Sequence, residues 1–150
     1  MVKPVPNQTI HFYYQVNGFA FVNRNKLKAF ILMLCKREQI LIQSLDYIFC
    51  TDDYLLEINI RFLSNHDYTD IISFNLSDND KSVKGEIYIS MERVKENAKQ
   101  LNLSFQNELT RVLFHGALHL CGFEDATPSQ KQAMRAKEDQ YMFLFNKFIN

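Results

Sequence analysis

Two histidines, His115 and His119, stand four residues apart in the run Phe114-His115-Gly116-Ala117-Leu118-His119-Leu120-Cys121-Gly122-Phe123-Glu124-Asp125. On an α-helix that spacing places both imidazoles on one face, with β-carbons about 5–6 Å apart, close enough to share a metal ion. Gly122 follows within one turn and, free to take positive φ, is a natural helix stop. The chain can then turn back and bring Asp125 alongside as a third ligand. A catalytic zinc ion takes three protein ligands and keeps one position open, and this stretch offers three. The plainer reading of the pair is two core imidazoles hydrogen-bonded to their neighbours.

The frame is longer than the pair. Histidine, three residues, histidine, two residues, glycine, two residues and an acid is the ligand spacing of the long zinc motif of metzincin proteases, with Asp125 where their third histidine stands. Those proteases carry a glutamate directly after the first histidine, where it takes a proton from the zinc-bound water. Gly116 occupies that position, so the general base for peptide hydrolysis is missing. Arg111 lies one turn before His115 on the same face. It either pairs with Glu108 three residues earlier or holds its guanidinium beside the metal, ready for bidentate contact with a phosphate. Cys121, about 200° round the helix from His119, reads as a core residue. His11 and His66 have no ligand spacing to the motif.

The elements that must position these groups follow from periodicity and capping. A helix from Phe105 to about Cys121 carries the histidines and is hydrophobic nearly all round, so it should be central and buried. Before it come a strand over Thr9–Val16, a helix capped by Asn23 with Leu27, Phe30, Ile31 and Leu34 as its stripe, a strand over Leu45–Cys50 and a helix capped by Thr51. Ile71–Leu76 and the alternating run Gly85–Ile89 flank a polar loop, Ser77–Ser82, and read as a hairpin. Ser90 caps a helix to about Leu101. Thr127-Pro128-Ser129-Gln130 is a capping box that opens a last helix to about Phe148. The order β-α-β-α-β-β-α-α-α implies one α+β domain over residues 1–150, a small mixed β-sheet packed against helices with a central metal-binding helix.

Composition narrows the function classes. A chain of 150 residues with 47% hydrophobic and 23% charged residues folds as one soluble domain and is too apolar for disorder. Its 17 basic residues are balanced by 17 acidic ones, so no global field draws it to nucleic acid or membrane. Any nucleic-acid contact must rest on a local patch; Arg24, Lys26, Lys28, Lys36 and Arg37 around the first helix are either such a patch or a solvated face. Cys35, Cys50 and Cys121 are odd in number and contain no C-x-x-C pair, as expected of reduced thiols in a cytosol. Met1–Asn7 has no apolar signal core, and the longest apolar run, Ala29–Cys35, is too short to span a bilayer. The expectation is a cytoplasmic protein with no membrane partner.

Three segments together resemble the YbeY family of bacterial rRNA-maturation metalloproteins associated with endoribonuclease activity. The family signature, His-Gly-x-Leu-His-Leu-x-Gly-aromatic-acid, is met by His115 through Glu124. Thr69-Asp70-Ile71-Ile72-Ser73-Phe74 and Gly85-Glu86-Ile87-Tyr88-Ile89-Ser90 are similar to its two strand motifs, in the same order. The resemblance spans roughly residues 45 to 125 and implies a hydrolase that cuts RNA phosphodiesters with a metal-activated water. One zinc ion would be held by His115, His119 and Asp125, with Arg111 steadying developing charge. Ribosomal RNA and ribosomal particles would be the partners, and DNA would not. Two positions depart from the family. Asp125 replaces a third histidine, which lowers the positive charge of the site and weakens water activation. Leu63 stands where an arginine is usual, so that role is vacant or passes to Arg61 or Arg111. Two rival functions follow: a ribosome-assembly factor with a structural zinc and no chemistry, and a minimal metalloprotease, against which Gly116 stands.

Overall fold

Four helices begin where a hydroxyl side chain can accept from a backbone N–H that the helix itself leaves unsatisfied. Thr51 accepts from Tyr54, Ser90 from Arg93, Ser104 from Asn107 and Thr127 from Gln130. Each such cap is worth about 1 kcal/mol. The computed structural model describes residues 9–78 and 82–150. Among them the order is β1 (Ile10–Tyr14), α1 (Arg24–Arg37), β2 (Leu41–Cys50), α2 (Asp52–Leu63), β3 (Ile71–Asn75), β4 (Ser82–Ser90), α3 (Met91–Gln100), α4 (Phe105–Leu120) and α5 (Pro128–Ile149). Met1–Asn7 and the middle of the polar loop at Ser77–Ser82 lie outside the described residues.

The order matches the one expected from sequence, with two local differences. Asn23 sits at the start of α1 in a left-handed conformation, φ 60°, and its side chain makes no capping bond. β2 starts at Leu41, four residues before the expected strand. Gln43 and Ser44 break the apolar pattern there, and the partner strand carries the pairing through Leu41 against Ser82 and Ile42 against Val83, with a register shift between Ile42 and Ser44.

The sheet order is β1-β2-β4-β3. β1 and β4 both run parallel to β2, and β3 runs antiparallel to β4 as the outer arm of the hairpin. Side chains alternate between faces. On one face Leu45, Tyr47 and Phe49 of β2 and Ile87 and Ile89 of β4 pack with α1, α4 and α5 in the main core. On the other, Cys50 and Ile72 pack with Leu55 and Ile58 of α2 in a smaller cluster. The result is one α+β domain in which α4 is the inner helix. Leu109, Leu113, Phe114 and Leu118 of α4 are fully buried, each contributing about 1.5–3 kcal/mol of burial. The Tyr47 hydroxyl donates to the Leu113 carbonyl at 2.8 Å and ties β2 to the middle of the helix.

At Gly116 the helix backbone meets the sheet directly. A β-carbon there would lie 2.9 Å from Ile71 Cδ1 and 3.0 Å from two methyl carbons of Ile87. A larger residue there would have to displace these side chains, and the approach brings the histidine-bearing turn of α4 against β3 at the sheet edge. No helix among the described residues is long and apolar enough to cross a membrane.

Candidate metal centre

α4 ends in a turn that aims three side chains at one point. The Gly122 N–H bonds the His119 carbonyl and the Phe123 N–H bonds the Leu118 carbonyl, both at 3.0 Å, a Schellman closure that needs positive φ at Gly122, here 103°. The reversal places the Phe123 carbonyl 2.9 Å from His119 Nδ1 and carries Asp125 back over the helix. Asp125 Oδ2 lies 3.3 Å from His115 Nε2 and 3.5 Å from His119 Nε2. Ligand atoms of His115, His119 and Asp125 all fall within 4.8 Å of one another. The structure therefore brings together the three residues that the spacing singled out.

Hydrogen bonding on the far side of each ring decides what the near side can do. His115 Nδ1 donates to Glu138 Oε2 at 2.5 Å, and His119 Nδ1 donates to the Phe123 carbonyl. Carboxylate and carbonyl oxygens only accept, so both rings carry hydrogen on Nδ1 when neutral and present a lone pair at Nε2. The two Nε2 atoms are 3.0 Å apart, with the Asp125 carboxylate beside them. Three acceptors facing one another repel unless a positive charge lies between them. Burial works against charge on His115, but Glu138 and then Asp125 raise its pKa above the ordinary value. The same electrostatics suit a divalent cation, and imidazole nitrogens oriented by a carboxylate and a carbonyl are the usual supports of a bound metal.

Glu138 was not singled out by the sequence reading. It comes from α5, 23 residues beyond His115, and is 2% exposed. Burial pushes its carboxyl up, yet contact with His115 and Arg111 more than reverses this and holds it below the usual carboxylate range. The legible signal was its register: Met134, Glu138, Tyr141 and Phe145 form the buried stripe of α5, and an acid within such a stripe must have partners.

Arg111 is one of those partners. Its Nε and Nη2 reach the two oxygens of Glu108 at 3.0 and 2.6 Å, and its Nη1 reaches Glu138 Oε1 at 2.7 Å. Of the two readings offered by sequence, the Glu108 pair is the one formed, and it is buried: Glu108 is 0% exposed. Burial alone would lower the Arg111 pKa, but the two carboxylates raise it. All three of its nitrogens are thus engaged by Glu108 and Glu138, and Glu138 links it to His115. Arg61 pairs with Glu57 on the exposed face of α2.

The open side is a cavity of about 530 Å³ between α4, β3 and the end of α2. Beyond the three converging residues it presents Asn59, Thr69, Asp70, Ser73 and Asn75. Ser73 Oγ is buried without a hydrogen-bond partner. A larger groove, about 620 Å³, runs along Tyr14–Lys26 by β1, at the opposite edge of the sheet, and contains no histidine, cysteine or carboxylate. Cys121 carries no ligand role; it lies beside the buried Cys35, away from the imidazoles.

Comparison with known proteins places the chain among relatives of one name. The sequence profile described as "Endoribonuclease YbeY" matches residues 17–146. A relative of that name from Cytophaga hutchinsonii is 41% identical over 137 residues, covering 91% of this chain and 96% of the relative. Another from Flavobacterium psychrophilum is 48% identical over 102 residues, 68% of this chain and 72% of the relative. The solution structure of a Thermotoga maritima protein superposes with a TM-score of 0.59 at 29% identity, covering 89% of this chain and 86% of that one.

Proposed function

The chain belongs to the YbeY endoribonuclease family, and on that premise we propose that it is a zinc-dependent endoribonuclease that processes ribosomal RNA during ribosome assembly in the cytoplasm. The observation that carries the reading is the convergence of His115, His119 and Asp125 on one point, each imidazole backed by an acceptor that fixes its tautomer. Two imidazoles and one carboxylate suit zinc with one position left for catalysis. When bound, such an ion supplies Lewis acidity and a water made acidic enough to attack a phosphodiester.

The protein residues do the rest. His115 and His119 offer Nε2, and Asp125 offers a carboxylate oxygen from the returning chain. Glu138 holds the His115 ring and keeps its hydrogen on Nδ1; the Phe123 carbonyl does so for His119. Arg111, itself held by Glu108, holds Glu138. Asn59, Thr69, Ser73 and Asn75 line the wall of the open cavity with amides and hydroxyls that can orient a nucleotide.

Two observations weigh against the rival readings. Structural zinc sites are closed by four protein ligands, whereas this centre has three among the described residues and opens on a cavity. A metalloprotease base after the first histidine has no space, because even a β-carbon at residue 116 meets β3 and β4. In purified protein, His115→Ala and Asp125→Ala are expected to lose bound zinc and RNA cleavage together. Cleavage that survives in His115→Ala removes this mechanism. Metal-loaded wild type that binds ribosomal particles but cuts no RNA establishes the assembly-factor reading in its place.

A further inference from the structure

His115 and Asp125 line two cavities, not one. Besides the open cavity on the β3 side, a second of about 200 Å³ lies on the α5 side, bounded by Arg111, Lys131, Met134, Arg135 and Glu138. The metal centre is thus a saddle between two recesses, and a strand whose scissile phosphate sits on it has to pass from one into the other.

The two recesses differ in charge. The β3 side holds the carboxylates of Asp70, Glu124 and Asp125 and, among the described residues, no lysine or arginine. It repels a phosphate and suits a base or ribose, which its amides and hydroxyls can hydrogen-bond. On the α5 side Arg111 and Glu138 neutralise each other, leaving Lys131 and Arg135 opposite the one carboxylate, Asp125, that both recesses share. These two are four residues apart, so they project from one face of α5 about one turn, some 6 Å, from each other. Both are exposed, and neither forms an ion pair among the described residues. They are the uncompensated cations of a recess that adjoins the metal centre.

Resting on the endoribonuclease reading, we propose that Lys131 and Arg135 form an anchoring site for the RNA phosphate next to the scissile one. The strand then runs across His115 and Asp125, with its neighbouring nucleotide on the amide-lined β3 side. The site also takes over the charge that Leu63 and the engaged Arg111 do not supply. Arginine contributes a planar fork for phosphate oxygens and lysine a mobile point charge.

The test is binding of a fluorescent, 2′-O-methylated single-stranded RNA, shown intact on a gel after each titration, to the full chain, followed by anisotropy across a salt series. The double variant Lys131→Ala with Arg135→Ala is expected to bind about tenfold more weakly. The slope of log affinity against log salt should fall by about 1.4, two contacts at about 0.7 each. Melting temperature and zinc content should match the wild type, since neither side chain touches a ligand. A control pair on the opposite sheet edge, Arg24→Ala with Lys26→Ala, removes the same charge and should leave both quantities unchanged. Wild-type affinity and slope in the α5 variant overturn the proposal, and so does an equal loss in both double variants. Cleavage of unmodified RNA is measured in parallel. A wild type that cuts nothing, alongside selective loss of binding in the α5 variant, removes the endoribonuclease reading and supports the anchoring site.

Discussion

Replacing Glu138 by glutamine separates two jobs that one carboxylate performs. Glu138 accepts from His115 Nδ1 through Oε2 and from Arg111 Nη1 through Oε1. A glutamine of the same shape keeps one acceptor oxygen and turns a donor toward the other partner, which is itself a donor. One buried charge-assisted hydrogen bond, worth about 1.5–3 kcal/mol, is lost, and the Arg111 charge is compensated by Glu108 alone. For a domain of this size, 3 kcal/mol lowers the melting temperature by about 6–12 °C. The metal should also be held about 10–100-fold more weakly, as when the support of a ligating histidine is removed. Glu108→Gln is the comparison. Glu108 pairs with Arg111 and does not reach His115, so it should cost similar stability but leave metal affinity close to wild type. Melting is followed on chelator-treated protein, because bound metal would otherwise stabilise the native state by mass action. Metal affinity is read by competition with a chromophoric chelator. Equal weakening of metal binding in the two variants, or none in Glu138→Gln, refutes the assignment of Glu138 as the residue that orients His115.

Three further outcomes follow. Gly116→Ala should destabilise the domain by about 1–3 kcal/mol in a denaturant melt, because its β-carbon lands 2.9 Å from Ile71 Cδ1 in a packed interior; a wild-type midpoint contradicts the close packing of α4 on the sheet. Tyr47→Phe removes the hydroxyl that donates to the Leu113 carbonyl and should cost about 1 kcal/mol, the carbonyl keeping its own helical partner; no change would mean that this tie between β2 and α4 contributes nothing. Burial pushes the Glu38 carboxyl up, but hydrogen bonds from Tyr141 and Lys137 leave it below the usual range. A pKa lowered by folding adds stability above the ordinary carboxylate range and loses it as pH falls through the folded value. The melting-temperature advantage of wild type over Glu38→Gln should therefore be present at neutral pH and vanish on acidification, and an advantage that persists in acid contradicts the pairing.

Local chemistry was legible, and long-range pairing was not. Thr51, Ser90 and Thr127 announced their helices because a cap is decided by residues three apart. The histidine pair and the glycine turn were legible for the same reason: one helix and one reversal bring them together. β2 extends back to Leu41 because β4 pairs with it, which no window on Leu41–Ser44 contains. Arg111 offered two partners at helical spacing, and only the packing of α5 onto α4 decides between them. Glu138 shows the limit most plainly. Its placement in an apolar stripe marks it as buried, but that its partners are Arg111 and His115 depends on how two helices meet.

Because Glu138 belongs to α5, the metal centre is not a property of α4 alone. Docking of the last helix and capture of the ion are thermodynamically linked: each strengthens the other by the same factor. If the centre without α5 holds the ion about 10–100-fold more weakly, saturating metal favours docking by about 1.4–2.7 kcal/mol. Amide hydrogens of α5 should then exchange more slowly with metal than without it, far from the ligands themselves. A chain emerging from its N-terminus acquires the ligand spacing well before it acquires the residue that orients His115. Full affinity for the ion, and any nuclease activity that depends on it, arrives only when α5 has folded back onto α4.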